Sequence, residues 1–384
     1  MSRLTSWVSG RQLQRSAALL AVSALLSACS LFGGDKASKP AELEKITPAI
    51  AGRVVWNTSL DSVQFPLSIA AVADQFVVAG TDGVVTALQA ANGKPLWRAD
   101  VGQKLKAGVG SDGRFAAVVT RNSELVVLEA GRVLWRKTLL TPVITAPLVA
   151  GERVFVLSVD RQVLAFDAQE GRKLWEMRRP GDALTLAQPG VIGAFKDTLI
   201  VGQGARLTGV DPNKGTVRWE ASVANPRGTN EVERLADLVG PMFRSGDLLC
   251  ARAFQSAVGC VNADRGLAQW SRNVGGINGV GGSASLVVGG DASDRLTAWN
   301  INNGEVQWTA EQFLNRKLSA PLLQAATVIV GDFEGQVHFL SAETGKTQLR
   351  LSTDGSPIVA APVALGQTVL VATRKGGLYA FRPE

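Results

Sequence analysis

Six times along this chain a glycine is followed four residues later by tryptophan: Gly93/Trp97, Gly131/Trp135, Gly171/Trp175, Gly215/Trp219, Gly266/Trp270 and Gly304/Trp308. A seventh copy, Gly345/Leu349, keeps the spacing and loses the ring. Successive glycines stand 38 to 51 residues apart, a period at which one repeat is a small supersecondary unit that cannot bury its apolar faces alone. Such a chain must fold as an array. Its 384 residues, which would ordinarily suggest two domains, therefore read as one.

The text upstream of each glycine is shared as well. In GVVTALQAANGKPLW, RQVLAFDAQEGRKLW, ARLTGVDPNKGTVRW and DRLTAWNINNGEVQW, apolar residues stand eight and five positions before the glycine, the mark of strands buried on both faces. A polar residue four before it (Gln89, Asp167, Asp211, Asn262, Asn300, Ser341) suits a turn, and the glycine can take the positive φ that ends one. A further apolar pair precedes each unit, as in ITAPLVAGERVFVLSVD. Four strands in ~40 residues make a blade of a β-propeller.

The two ends complete the count. LYAFRPE at the C-terminus is a repeat cut off after its third strand, and GRVVW, ending at Trp56, is an orphan fourth strand. Joined, they make one blade. The strand-ending positions Trp56, Trp97, Trp135, Trp175, Trp219, Trp270, Trp308 and Leu349 then predict an all-β, eight-bladed β-propeller of four-stranded blades, closed by sharing one blade between the termini. Pro147, Pro189, Pro241, Pro321 and Pro362 recur where innermost strands begin, next to a channel edge that tolerates a missing N–H.

Arg3, Arg11 and Arg15 precede the apolar run from Ala17 to Leu26, which ends in Leu26-Ser27-Ala28-Cys29. This is a secretory signal, too short to span a bilayer. Its last four residues have the pattern in which the cysteine is acylated and becomes the first residue of the mature protein. Ser30, not an aspartate, directs such a protein to the outer membrane. The expected organisation is a signal peptide over 1–28, a lipidated Cys29 and tether over 29–52, and the propeller over 53–384. Removing the signal leaves 37 basic against 33 acidic residues, a net +4 scattered through the repeats. No nucleic-acid motif accompanies that charge.

Cys250 and Cys260 fall on the central strands of blade five, about equally far from the turn between them. An odd number of loop residues sets them face to face, where a disulfide can form in an oxidising periplasm. An even number points them to opposite faces as two small buried residues.

Catalytic signals are sparse. The single histidine, His338, lies in a strand between Val337 and Phe339, and no triad, HExxH or CxxC is assembled around it. Asp291 and Asp294, or Glu231, Glu233 and Asp237, are close in sequence without a partner base and read as solvated loop residues. The stretch from Gly275 to Ser285 lacks the Lys-Ser/Thr of a phosphate loop and reads as backbone contact between blades. Seven of the nine tryptophans share one repeat position, which argues for packing at blade junctions over a ligand platform; Trp299 replaces an aliphatic of a third strand and reads as core. No catalytic residue, metal site or cofactor is expected.

The repeat A-[LF]-[DN]-A-x-x-G-x-x-x-W resembles the tryptophan-docking repeat of quinoprotein-type propellers. Together with the lipoprotein signal, the blade count and RGTNEVERLADL at 227–238, it resembles the family of outer-membrane assembly lipoproteins over essentially the whole mature chain. That resemblance implies a non-enzymatic subunit of the machinery that inserts β-barrels into the outer membrane, docking on the periplasmic POTRA domains of its central subunit, BamA. Nascent barrel proteins are further candidate partners. Two docking segments carry over in part. Leu184 and Leu186 match a Leu-x-Leu-Arg pattern whose arginine is here Ala187; Asp237 matches the first of two aspartates whose second is Val239. The leucines are thus the expected apolar anchors, and the long steps of blades four and five place long loops there. Because the repeat is shared, a quinone-dependent periplasmic dehydrogenase or a lectin-like ligand-binding propeller stands as the alternative.

Overall fold

The computed structural model describes residues 39–179, 184–226 and 229–383. Its described residues form 32 strands in eight four-stranded antiparallel sheets, and no helix. Seven sheets are continuous: residues 70–100, 105–138, 148–177, 192–222, 238–272, 281–310 and 322–352 build blades 1 to 7. Blade 8 combines Val363–Leu365, Thr368–Ala372 and Gly377–Pro383 with the N-terminal strand Gly52–Ser59. That outermost strand pairs antiparallel with the last, Gly52 opposite Pro383 and Ser59 opposite Gly377. The ring is an eight-bladed propeller closed by its own termini, as the orphan GRVVW and truncated LYAFRPE imply.

Burial follows position within a blade. Second strands such as Gln75–Ala79, Phe115–Thr120 and Thr327–Gly331 are buried at every residue, because each is covered by the neighbouring blade on both faces; this is why they read as unbroken apolar runs. Outermost strands such as Arg132–Thr138 are mostly exposed. That strand carries the charged Arg132, Arg136 and Lys137.

The Gly-x-x-x-Trp signature joins blades, not positions within a repeat. Gly304, at φ +70°, lies under the ring of Trp270 from the preceding blade, so close that a Cβ on the glycine would stand 2.6 Å from the indole. Trp270 Nε1 donates to Ile301 O at 2.6 Å. The same bond joins Trp56 to Ala90 O, Trp135 to Ala168 O, Trp175 to Pro212 O and Trp308 to Ala342 O. A glycine is required because the turn needs positive φ and the ring needs bare backbone. At Leu349 an aliphatic side chain takes the place of the ring, covering Gly52 at the start of the closing strand.

Within each blade the first and third turns lie on one face of the ring, here the hairpin face. The second turn and the link to the next blade lie on the other, the link face. Residues 41–50, assigned to the tether on composition, cross the outside of blade 7: Ala41 N donates to Leu314 O and Ala49 N to Gln348 O, both at 2.8 Å. Leu43 and Ile50 pack against the apolar clusters of blades 6 to 8, which fixes this segment to the ring before Gly52 begins its strand.

Candidate docking site

Leu184, Leu186 and Asp237, 53 positions apart at the extremes of the sequence, meet on the link face where the links after blades 3 and 4 approach the second turn of blade 3. The residue that assembles them is Arg161. Its guanidinium forms an ion pair with Asp237 at 2.7 Å and reaches Leu184 O at 3.3 Å. The other carboxylate oxygen of Asp237 accepts the Leu186 N–H at 2.8 Å. Gln203 Nε2 donates to Arg161 O, and Gly190 N donates to Thr145 Oγ1. One carboxylate and one guanidinium thus hold three chain segments, with side chains only 14 % and 19 % exposed.

The arrangement separates roles that sequence alone merged. Leu184 is exposed at 36 %, while Leu186 is half-buried and lines a small cleft of about 40 Å³ with Thr145, Arg161, Gln188 and Asp237. That cleft has room for about one water. Asp237 is committed to Arg161 and the Leu186 amide, so it positions the loop. Ala187 is exposed, and Val239, in the place of a second aspartate, is buried in the innermost strand Leu238–Ser245. Arg161 lies 76 residues from Asp237 in a turn with no distinguishing motif, so spacing could not have found it.

A second Arg–Asp pair lies on the same face, at blade 7. Arg316 binds Asp332 Oδ2 through Nη2 at 2.7 Å and Nε at 2.8 Å, with exposures of 4 % and 0 %. It also pairs with Glu334 and donates to Ala41 O. His338 is fully buried against Phe313; its Nε2 stands 3.0 Å from Asp332 Oδ2, and Arg350 Nε donates to its Nδ1 at 3.3 Å. With Nδ1 accepting, the ring is neutral and Nε2–H donates to the carboxylate. Burial pushes the His338 pKa down against the pull of Asp332. Burial also pushes the Asp332 carboxyl up, but bonds from His338, the Gln336 amide and Arg316 outweigh it and hold it below its ordinary range. Arg350 donates on to Glu44 O, so both arginines grip the N-terminal segment.

A sequence profile described as outer membrane protein assembly factor BamB matches residues 81–310 and 314–384. The chain belongs to the BamB family. An outer membrane protein assembly factor BamB of Burkholderia pseudomallei is 35 % identical over 379 residues, covering 97 % of this chain and 99 % of that protein. The crystal structure of BamB from Moraxella catarrhalis superposes with a TM-score of 0.79 at 21 % identity, covering 86 % of this chain and all of the other. A quinohemoprotein alcohol dehydrogenase from Comamonas testosteroni shares the fold more distantly, with a TM-score of 0.65 at 14 % identity over 86 % of this chain and 76 % of its own. Fold similarity at that identity says nothing of chemistry.

The remaining candidate positions of this BamB-family chain fall as follows. Cys29 lies outside the described residues. Cys250 and Cys260 are opposite each other, Cα to Cα 4.0 Å, and joined as a disulfide; the turn between their strands, 254–256, has three residues. Asp294, read from sequence as solvated, is half-buried and accepts the Lys317 and Leu318 amides of a link. Burial raises its pKa against those two bonds. Glu233 caps a single turn through the Thr229 amide. In the glycine stretch, a Cβ on Gly281 would stand 2.1 Å from Pro321 O of the next blade, so close approach of innermost strands explains it.

Proposed function

We propose that this chain is a non-enzymatic docking subunit of the outer-membrane β-barrel assembly machinery, held to the membrane by an acylated Cys29. It engages the periplasmic POTRA domains of BamA with its link face around blades 2 to 6. One observation carries this reading. Among the described residues, the large aliphatic side chains exposed outside the outermost strands are Leu140, Leu184, Val232 and Ile277. They sit one each on four consecutive links, after blades 2, 3, 4 and 5. Isolated exposed aliphatics need no explanation, but a row of them on one face of a rigid ring is what an interface core requires. Leu184 stands beside the Arg161–Asp237 pair, which fixes its loop before any partner arrives; such pre-ordering lowers the entropic cost of association.

The family relationship supports the same assignment, since the assembly-factor relatives cover nearly the whole chain. The test is capture of BamA from solubilised outer membranes by the full chain carrying Leu184→Ser together with Leu186→Ser. Truncating central anchors costs about 2 kcal/mol or more, so affinity should fall at least tenfold while β-sheet circular dichroism stays unchanged. Undiminished capture by the folded variant would place docking elsewhere on the ring.

A further inference from the structure

In blades 3, 4, 6 and 7 the third strand ends on a polar residue whose side chain accepts backbone hydrogen bonds from the turn that follows. Asp167 Oδ1 takes the Gln169 and Glu170 amides, Asp211 those of Asn213 and Lys214, Asn300 that of Asn302, and Ser341 those of Glu343 and Thr344. Blade 8 has no such turn, because its third and fourth strands come from opposite ends of the chain. Arg382 holds the corresponding position, following Phe381 as Asp167 follows Phe166. The acceptor has become a group with five donors and no acceptor.

Those donors are poorly used. Arg382 Nη2 makes one long bond, 3.3 Å, to Thr368 Oγ1, and its Nε is buried with no hydrogen-bond partner. No carboxylate of the described residues pairs with it. Beside it, at the seam between blades 8 and 1 on the hairpin face, opens a cleft of about 390 Å³. Arg382, Thr368 and Gln367 line one wall, Asp74 and Gln89 the other. The volume falls in the range of small-ligand sites, ~300–1,000 Å³. A guanidinium on one wall calls for a carboxylate. Asp74 on the other repels a second negative charge and calls for a donor, and the two glutamine amides suit peptide-like groups between them.

We propose that the seam cleft binds a carboxylate that carries an N–H or ammonium donor a few bonds away, as a free peptide C-terminus does. Arg382 takes the carboxylate and Asp74 the donor. The site lies on the face opposite the proposed docking surface, so either assignment can fail alone.

The test uses ligand-observed NMR with the full chain and three probes: triglycine, triglycinamide and acetate. Triglycine should bind with a dissociation constant on the order of 1 mM. Triglycinamide, lacking the carboxylate, should bind at least tenfold more weakly, and acetate, lacking the donor, should also be weaker. Arg382→Gln should abolish the difference between triglycine and its amide. Arg382→Lys should restore it in part, since the charge returns without the fork. Equal binding of triglycine and triglycinamide to the wild-type chain would overturn the proposal, as would no binding of triglycine at about 10 mM. Those two wild-type readouts decide the matter even if the substitutions unfold the ring. Selective binding that survives Arg382→Gln in a folded ring would also overturn it.

Discussion

The two arginine–aspartate pairs on the link face use the same chemistry in opposite settings. Arg316–Asp332 is sealed in blade 7, with His338 beneath it and the carbonyl of Ala41 above. Arg161–Asp237 is partly open, joins links across three blades and leaves Leu184 at the surface. The first fastens a segment of the chain to the ring; the second fixes the link that carries the exposed Leu184. Burial decides the difference, because an enclosed pair cannot lose a partner without stranding a charge, whereas water can take over at a half-open one.

Four substitutions bear on this contrast. The largest effect belongs to Asp332→Ala, which takes the buried partner from Arg316, leaving it only Glu334 among carboxylates, and removes the acceptor of His338 Nε2–H; it should cost about 3–5 kcal/mol in urea unfolding. A loss below about 1 kcal/mol, the value of a surface pair, would dissolve the contrast. Next comes pH. The His338 pKa is depressed by burial, so the unfolded chain binds a proton the folded one refuses. Stability should therefore be complete above about pH 6.5 and fall as acid takes it below, by up to about 1.4 kcal/mol per pH unit. No other histidine exists to blur the window. His338→Gln should flatten the profile between about pH 6.5 and 5; an unchanged slope would mean the ring is not held neutral.

Asp237→Ala should cost only about 1 kcal/mol. It should nevertheless weaken BamA capture, because the Leu184 loop loses its support, and loss of capture without a proportionate loss of stability is the signature of a positioning residue. Smallest is Leu184→Ser, expected within about 0.5 kcal/mol of wild type in thermal unfolding. A drop comparable to that of a core leucine, about 2–5 kcal/mol, would show that the side chain belongs to the ring and not to an interface.

Much of this was legible in the sequence, and the physics explains which part. The blade count and the closing strand could be read because Gly304, Trp270 and their counterparts obey a local rule repeated every turn of the ring. What that rule concealed was its geometry: each glycine serves the tryptophan of the blade before it, a contact that spacing within one repeat does not encode. The two leucines were singled out through a shared motif, yet their unequal exposure was not legible, since it is the bond from the Leu186 amide to Asp237, 51 residues on, that draws Leu186 into the cleft and leaves Leu184 outside. Arg161 and the Arg316–Asp332–His338 network left no trace, because residues 76 and 16 positions apart meet only when a link packs against the second turn of a blade. The N-terminal segment was read as tether from its composition; Leu43 and Ile50 pack on the ring, and backbone bonds at Ala41, Glu44 and Ala49 complete the attachment.

The most direct measurement is amide hydrogen exchange of the full chain with and without the periplasmic domains of BamA. Added BamA should slow exchange in the links at 139–147, 184–191, 229–237 and 273–280. It should leave residues 41–50 and the turns of the hairpin face unchanged. Protection confined to the outermost strands or to the hairpin face, with the four links exchanging as in the free protein, would contradict the account.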